Sequence, residues 1–172
     1  MKEGIAMSKG EADQFRSTMR KLAASVTVIT TSYQGGLHGM TATAICSVSA
    51  DPPTVLAVVN RTARTHPNIE GAEFFAVNIL AKEQRSLADR FGRKLADQFE
   101  GVEYAHGERT TSPIMVGVAA SLECELVKMV DVGTHTIFVG RVVHCCASES
   151  DPLAYCEGRF ARVADLSEEF AL

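Results

Sequence analysis

The chain has 172 residues, 46% of them hydrophobic, which is enough for one domain with a substantial core. Its formal net charge is -4, and its basic residues come only in local groups such as Arg16/Arg20-Lys21 and Arg90/Arg93-Lys94, read as solvated helix faces, so no nucleic-acid surface is expected. No apolar run approaches the length of a membrane span and the opening MKEGIAMSKGEADQF has no apolar leader, so no membrane contact and a cytoplasmic location are expected.

In chain order, Ser8 and Glu11 have the spacing of a capping box for a first helix running to about Ala24, with Phe15, Met19, Leu22 and Ala23 on its inward face. Residues 26–32 are rich in Val, Ile and Thr and read as a strand, Gln34-Gly35-Gly36 as a reversal, and 37–50 as the returning strand. Asp51-Pro52-Pro53 interrupts pairing and leads into 54–60, an apolar strand expected to be buried on both sides. Thr65 can cap a short helix with Pro67 in its first turn. Residues 74–80 read as a strand and 81–91 as a helix with Leu87, Ala88 and Phe91 inward, stopping at Gly92. From 93 to 112 the chain is polar and aperiodic, a surface excursion in which Asp97-Gln98-Phe99 can form a helical turn. Three long strands, 118–132, 134–147 and 153–163, close the chain.

About seven strands with two or three peripheral helices predict a mainly β protein, an antiparallel barrel in which closure removes exposed sheet edges. There is no βαβ alternation, G-x-G-x-x-G or Walker A motif, so a nucleotide would bind without a Rossmann domain. Cys46, Cys124, Cys145, Cys146 and Cys156 lack C-x-x-C spacing, and four lie in strand-like apolar runs, so they read as buried reduced thiols. The histidines His38, His66, His106, His135 and His144 are scattered, and no metal is expected.

The stretch Gly39-Met40-Thr41-Ala42-Thr43-Ala44-Ile45-Cys46-Ser47-Val48-Ser49 carries small and hydroxylated side chains where a buried strand normally carries bulk. So bare a backbone can lie against a flat ligand, its amides meeting a ring edge and its hydroxyls reaching phosphate or ribitol oxygens; equally, it can be a strand packed closely under a helix.

These blocks, with Phe15-Arg16, Ala24-Ser25-Val26-Thr27-Val28-Ile29-Thr30-Thr31, His38-Gly39-Met40, Asp51-Pro52-Pro53, Val77-Asn78-Ile79-Leu80, Gly133-Thr134-His135, Gly140-Arg141-Val142, Pro152-Leu153, Tyr155 and Gly158-Arg159-Phe160, resemble the short-chain flavin reductases over about 15–163 of a single domain, 1–172. Within that family the chain looks most like the reductase component of 4-hydroxyphenylacetate 3-monooxygenase and its pyrimidine-degradation relatives, with Gly-Thr-His where Gly-Asp-His is commoner.

The resemblance implies an FMN-binding split β-barrel of Greek-key type, working as an NAD(P)H:flavin oxidoreductase. It implies a homodimer and a partner flavin-dependent monooxygenase that receives the reduced flavin. The cofactor implied is FMN or FAD, with NADH preferred over NADPH because no basic cluster for a 2′-phosphate is visible. Thr41, Ala42, Thr43, Ala44, Ser47 and Val48 would run along the flavin ring and ribityl chain. Thr62, Arg64 and Thr65 would hold the phosphate, where hydroxyls, a guanidinium and a helix start converge, although a cap hydroxyl can be taken up by its own helix. Ala81, Gln84, Arg85 and Phe91 would line the outer end. His135 would face and position the nicotinamide, with Gly158, Arg159 and Phe160 completing that side; by position alone His135 reads as structural, and Arg159 can either contact the nicotinamide cofactor's pyrophosphate or make a surface salt bridge. The alternative is a non-catalytic flavin carrier of the same fold. A pyridoxamine-phosphate-oxidase-like split barrel is disfavoured by the C-terminal strands.

Overall fold

Helix α1 spans Lys9–Met19 and starts where the capping box places it, with the Ser8 amide donating to Glu11 Oε2 (2.7 Å) and the Glu11 amide to Ser8 Oγ (3.3 Å). The structure is a computed structural model and describes residues 8–165. The first seven residues, part of the stretch read as leaderless, lie outside the described residues, as do the last seven. α1 stops five residues earlier than expected, and the chain goes into a short strand β1 (Ala24–Ser25). Its expected inward face is left uncovered among the described residues: Phe15, Met19 and Leu22 are exposed and nothing in α1 is buried.

β2 (Thr27–Tyr33) and β3 (Gly36–Ala42) form the expected hairpin, with Gln34 and Gly35 both at positive φ, 50° and 76°, as its two-residue turn needs. β4 (Ile45–Ala50) and β5 (Pro53–Asn60) form the next hairpin, across a cis Asp51-Pro52 bond. The single returning strand expected over 37–50 is thus broken at Thr43 and Ala44. Helix α2 (His66–Ala72) leads to β6 (Phe74–Ile79), and helix α3 (Arg85–Phe91) follows. α3 starts four residues later than expected because Gln84 Oε1 accepts from the Ala81 amide, making a turn first; it ends at Gly92 as anticipated. The excursion has no helical turn at Asp97, whose Oδ1 instead accepts from the Phe99 and Glu100 amides; it carries the small pair β7 (Tyr104–His106) and β8 (Pro113–Met115). The long hairpin β9 (Ala120–Val132) and β10 (His135–Ala147) follows. The last expected strand is a hairpin, β11 (Leu153–Cys156) and β12 (Arg159–Arg162), turned by Glu157 and Gly158 at φ 52° and 80°.

The main sheet is antiparallel in the order β3-β2-β6-β9-β10-β5-β4. Its two edge strands are consecutive in the chain, so the two-residue junction Thr43-Ala44 brings the edges together and the sheet curls into a split barrel, as expected. β3 and β4 are edge strands, and at this junction the Ala42 carbonyl accepts from the Thr27 hydroxyl (2.8 Å) and the Ala44 carbonyl from the Val58 amide (3.0 Å), which leaves the Thr43 and Ala44 amides without a partner among the described residues.

One core lies inside the curl, around Ile29, Val59, Phe75, Val77 and Phe138; a second lies outside it, where Val28, Leu80, Ala88, Phe91, Phe99 and Met115 pack. The strand buried on both sides is therefore β2, not β5: Val28 faces one core and Ile29 the other, while β5 alternates, with Val55, Ala57 and Val59 inward. The threonines of β2 can be buried because their hydroxyls find carbonyls, Thr27 that of Ala42 (2.8 Å) and Thr31 that of Phe74 (2.8 Å). The cysteines differ from expectation: Cys124 is buried, its thiol pushed up to about 12 by burial and then by Glu123, whereas Cys46, Cys145 and Cys146 are exposed.

Glu123 ties the excursion to β9. Its carboxylate, in a residue 2% exposed, accepts from the amides of Glu108 (2.9 Å), Arg109 (3.0 Å) and Thr110 (2.7 Å) and from the Thr110 hydroxyl (2.8 Å). Burial pushes its pKa up, but the Thr110 hydroxyl and the three amides outweigh that and hold it below the usual carboxylate value. Its ionised form thus stabilises the fold above the ordinary carboxylate pKa, and that contribution fades as pH falls through the depressed value. Glu123→Gln is expected to cost about 2 kcal/mol at pH 7, roughly 4–8 °C in Tm. Thermal unfolding at a series of pH values checks this: the gap to the wild type should narrow below about pH 4, and a constant gap would contradict the linkage.

Candidate flavin-binding site

Gly39 and Thr41 of β3 attach the strand to α3. The Thr41 hydroxyl donates to the Ala88 carbonyl (2.7 Å), and a Cβ at Gly39 would fall 2.6 Å from Phe91 Cε1, so only glycine lets the ring lie against the strand. Between this segment, the 63–65 turn and residues 91–94 runs a groove of about 170 Å³. Three cations line it, Arg64, Arg93 and Lys94, and among the described residues none of them pairs with a carboxylate. Arg64 also donates to the Leu95 carbonyl (2.6 Å), which fixes the wall of the groove. Thr65 is 3% exposed, lines the groove, and makes no side-chain bond to α2, so its hydroxyl is not spent as a cap.

Thr41 is shared with a second groove, of about 290 Å³, formed by Ala42, Thr43, Val26, Tyr155 and Phe160. Phe160 meets Tyr155 edge-on, with ring centroids 5.5 Å apart, and the Arg85 guanidinium sits 5.0 Å from the Phe160 centroid. Thr43 continues into an apolar groove of about 510 Å³ lined also by Ala44, Ile45, Leu56 and Val58. The bare edge strand is thus the floor of continuous grooves, cationic at one end and apolar at the other.

Other expected residues stand apart from these grooves. Ser47 and Val48 are exposed on β4 at its register shift. The hydroxyl and amide of Thr62 both donate to Asn60 Oδ1 (2.8 and 2.9 Å), making it a turn brace. Ala81 is buried and Gln84 is engaged at both ends, by the Ala81 amide and the Val116 carbonyl, so both support α3. Phe91 does line the cationic groove but at 3% exposure, stacked edge-on against Phe99 at 5.0 Å, which makes it floor more than contact. Gly158 lies in the β11-β12 turn and lines a groove with Phe15, Met19 and Thr43; Arg159 pairs with Glu157 at 3.0 Å, its salt-bridge reading.

His135 begins β10, half-buried, opposite Asn60 of β5 and outside the grooves above. The Thr134 hydroxyl lies 2.9 Å from its Nδ1, and the Thr134 carbonyl accepts from the Arg61 amide (3.0 Å), so His135 flanks the turn that carries Arg64. A hydroxyl donating to Nδ1 leaves Nε2 as the donor. Arg93 and Lys94 were missed as site residues because they read as solvated helix face; the signal was their place just past the Gly92 stop, where the helix has already ended.

The fold is an antiparallel split barrel with a cation-lined groove along one of its edge strands. Residues 19–164 match the family described as the flavin reductase like domain, and the chain belongs to that family, a flavin reductase by descent. The reductase component of a 4-nitrophenol 4-monooxygenase/4-nitrocatechol 2-monooxygenase from Rhodococcus opacus is 36% identical over 160 residues, covering 93% of this chain and 85% of the relative. RutF of Stutzerimonas stutzeri, an FMN reductase (NADH), is 38% identical over 146 residues, covering 83% of each. Among solved structures, the NADH:FAD oxidoreductase SgcE6 of Streptomyces globisporus matches with a TM-score of 0.86 at 31% identity, covering 95% of this chain and 99% of that one. SgcE6 has also been solved with NAD and FAD fragments.

Proposed function

We propose that this single-domain reductase takes electrons from NADH onto FMN or FAD and releases the reduced flavin to a separate flavin-dependent monooxygenase. The observation that carries the reading is the set of three cations, Arg64, Arg93 and Lys94, none paired with a carboxylate among the described residues, on a groove floored by an edge strand. A phosphate fits that donor set, and the flat neutral remainder of a flavin fits the bare backbone beyond Thr41. When bound, the flavin supplies the two-electron acceptor that no side chain of this protein can provide.

The protein's own part is alignment. The cations hold the phosphate, with the Thr65 hydroxyl beside them; the free amides at the Thr43-Ala44 junction meet the polar ring edge; the grooves exclude water from the apolar face. His135, its ring set by Thr134, offers Nε2–H to the nicotinamide carboxamide, and Phe160 lines the groove beyond Thr41. Nothing here requires a general acid, because the transfer between the two rings demands no proton from His135.

A homodimer in the cytoplasm completes the proposal. Phe15, Met19 and Leu22 stay exposed, at 57%, 46% and 66%, beside grooves walled by Tyr155, Ile45 and Leu56, and a second copy would cover this apolar surface. Sedimentation analysis should show a dimer that Leu22→Glu dissociates; a monomeric wild type would contradict it.

Titration with FMN tests the groove assignment. Ala44→Leu adds a branch beside Thr43 and is expected to weaken FMN binding about tenfold, roughly the cost of crowding a filled site. Unchanged affinity would place Ala44 outside the site.

A further inference from the structure

The turn that carries Arg64 and Thr65 is fastened to the hairpin tip that carries His135. The Arg61 amide donates to the Thr134 carbonyl (3.0 Å), and the Arg61 guanidinium lies 3.9 Å from Asp131, an exposed ion pair that adds little. The rest of the fastening is a side-chain bridge. The Thr136 hydroxyl, in a residue 0% exposed, donates to Asp131 Oδ1 (2.5 Å) and lies 2.8 Å from His66 Nε2. A hydroxyl has one proton, so with that proton on Asp131 it accepts from His66 Nε2–H. The His66 ring is held at a second point, edge-on against Phe138 of the inner core, with ring centroids 5.0 Å apart.

The ends of the bridge stand next to the proposed ligands. His66 is the first residue of α2 and directly follows Arg64 and Thr65, which line the cationic groove. Thr136 directly follows His135 on β10, and successive strand residues alternate faces, so Thr136 turns into the barrel and His135 away from it. Asp131 is the register partner of Thr136 on β9. The bridge therefore fixes the backbone that holds the phosphate against the backbone that holds the nicotinamide.

We propose that His66, Thr136 and Asp131 are positioning residues that set the register between a phosphorylated flavin and the nicotinamide. The inference rests on the proposed places of the flavin phosphate at Arg64 and of the nicotinamide at His135. A phosphate ties the flavin to the 61–66 turn, so its ring keeps a fixed offset from His135 only while the bridge holds. Riboflavin has no phosphate to tie, and its ring is seated by the edge strand alone. Transfer between the rings is steeply sensitive to such an offset, since a misplacement of about 1 Å can cost about 100-fold.

Thr136→Val keeps the branched shape and removes the hydroxyl; Thr136→Ser keeps the hydroxyl. Wild type and variants are titrated with FMN and with riboflavin. Each flavin-loaded protein is then titrated with tetrahydro-NAD, an NADH analogue that has no hydride to give, and reduced with NADH in a stopped-flow instrument. With FMN bound, Thr136→Val is expected to lower both the affinity for the analogue and the reduction rate about tenfold, the scale of one net hydrogen bond. With riboflavin bound, both values should stay near those of the wild type, as should FMN affinity itself. Thr136→Ser should restore the FMN values. Equal losses with the two flavins would make the bridge a support of the fold alone, and no loss with either would leave it outside the site; both results overturn the inference. His66→Phe, which keeps a ring against Phe138 and removes the donor, decides by the same comparison if Thr136→Val does not fold. A wild type that neither binds nor reduces FMN would remove the functional reading, and this inference with it; FMN reduction that is normal in the wild type, with a bridge blind to the phosphate, removes only the inference.

Discussion

Arg64→Ala is expected to weaken FMN binding by roughly 10- to 100-fold, the range for losing a charge-assisted hydrogen bond, and to leave riboflavin binding nearly unchanged. The contrast follows from the groove: Arg64 belongs to its cationic end, and riboflavin has no phosphate to present there. Some of the loss will come from the wall itself, because Arg64 also holds the Leu95 carbonyl at 2.6 Å. Arg64→Lys keeps the charge but not the planar fork and should recover only part of the affinity. Parallel titrations of both variants with FMN and riboflavin check this; an equal loss for the two ligands would mean that Arg64 only shapes the loop.

His135→Ala should raise KM for NADH and slow reduction of the flavin-loaded protein by roughly 10- to 100-fold, as for an orienting hydrogen bond, with flavin affinity almost unaffected. The ring is half-buried, set by Thr134, and flanks the turn that carries Arg64, but it lies outside the flavin grooves. Stopped-flow reduction together with a flavin titration separates the roles. Wild-type reduction kinetics would make His135 structural, whereas complete loss of reduction with flavin still bound would show that it does more than position.

Signals with a strong local cause were readable directly. Ser8 and Glu11 satisfy each other's orphan amides, and Gln34-Gly35 takes up the positive φ that a tight hairpin needs, so both ends of that region fell where the pattern put them. The break at Thr43-Ala44 was hidden because no glycine or proline marks it; it exists because the two sheet edges must meet there. β2 did not look like the most buried strand, since its threonines read as polar until Ala42 and Phe74 supply carbonyls for them from other strands.

The site divided in the same way. Thr41, Ala42, Thr43, Ala44, Arg64 and Thr65 come to the grooves because a bare edge strand and an arginine beside a turn are local features. Arg93 and Lys94 enter only because the chain folds back after α3, with Arg90 holding the Gln98 and Glu100 carbonyls (2.7 and 2.6 Å), a tertiary arrangement with no local signature. Conversely, Gln84 and Thr62 looked available for a ligand and are spent on the backbone and on Asn60.

The most direct measurement is steady-state oxidation of NADH by the purified protein with FMN, FAD and riboflavin added in turn, repeated with NADPH. The account predicts NADH consumption that depends on added flavin, favours the phosphorylated flavins over riboflavin, and falls when NADPH replaces NADH. Tight flavin binding without NADH consumption would contradict it and leave a carrier of the same fold.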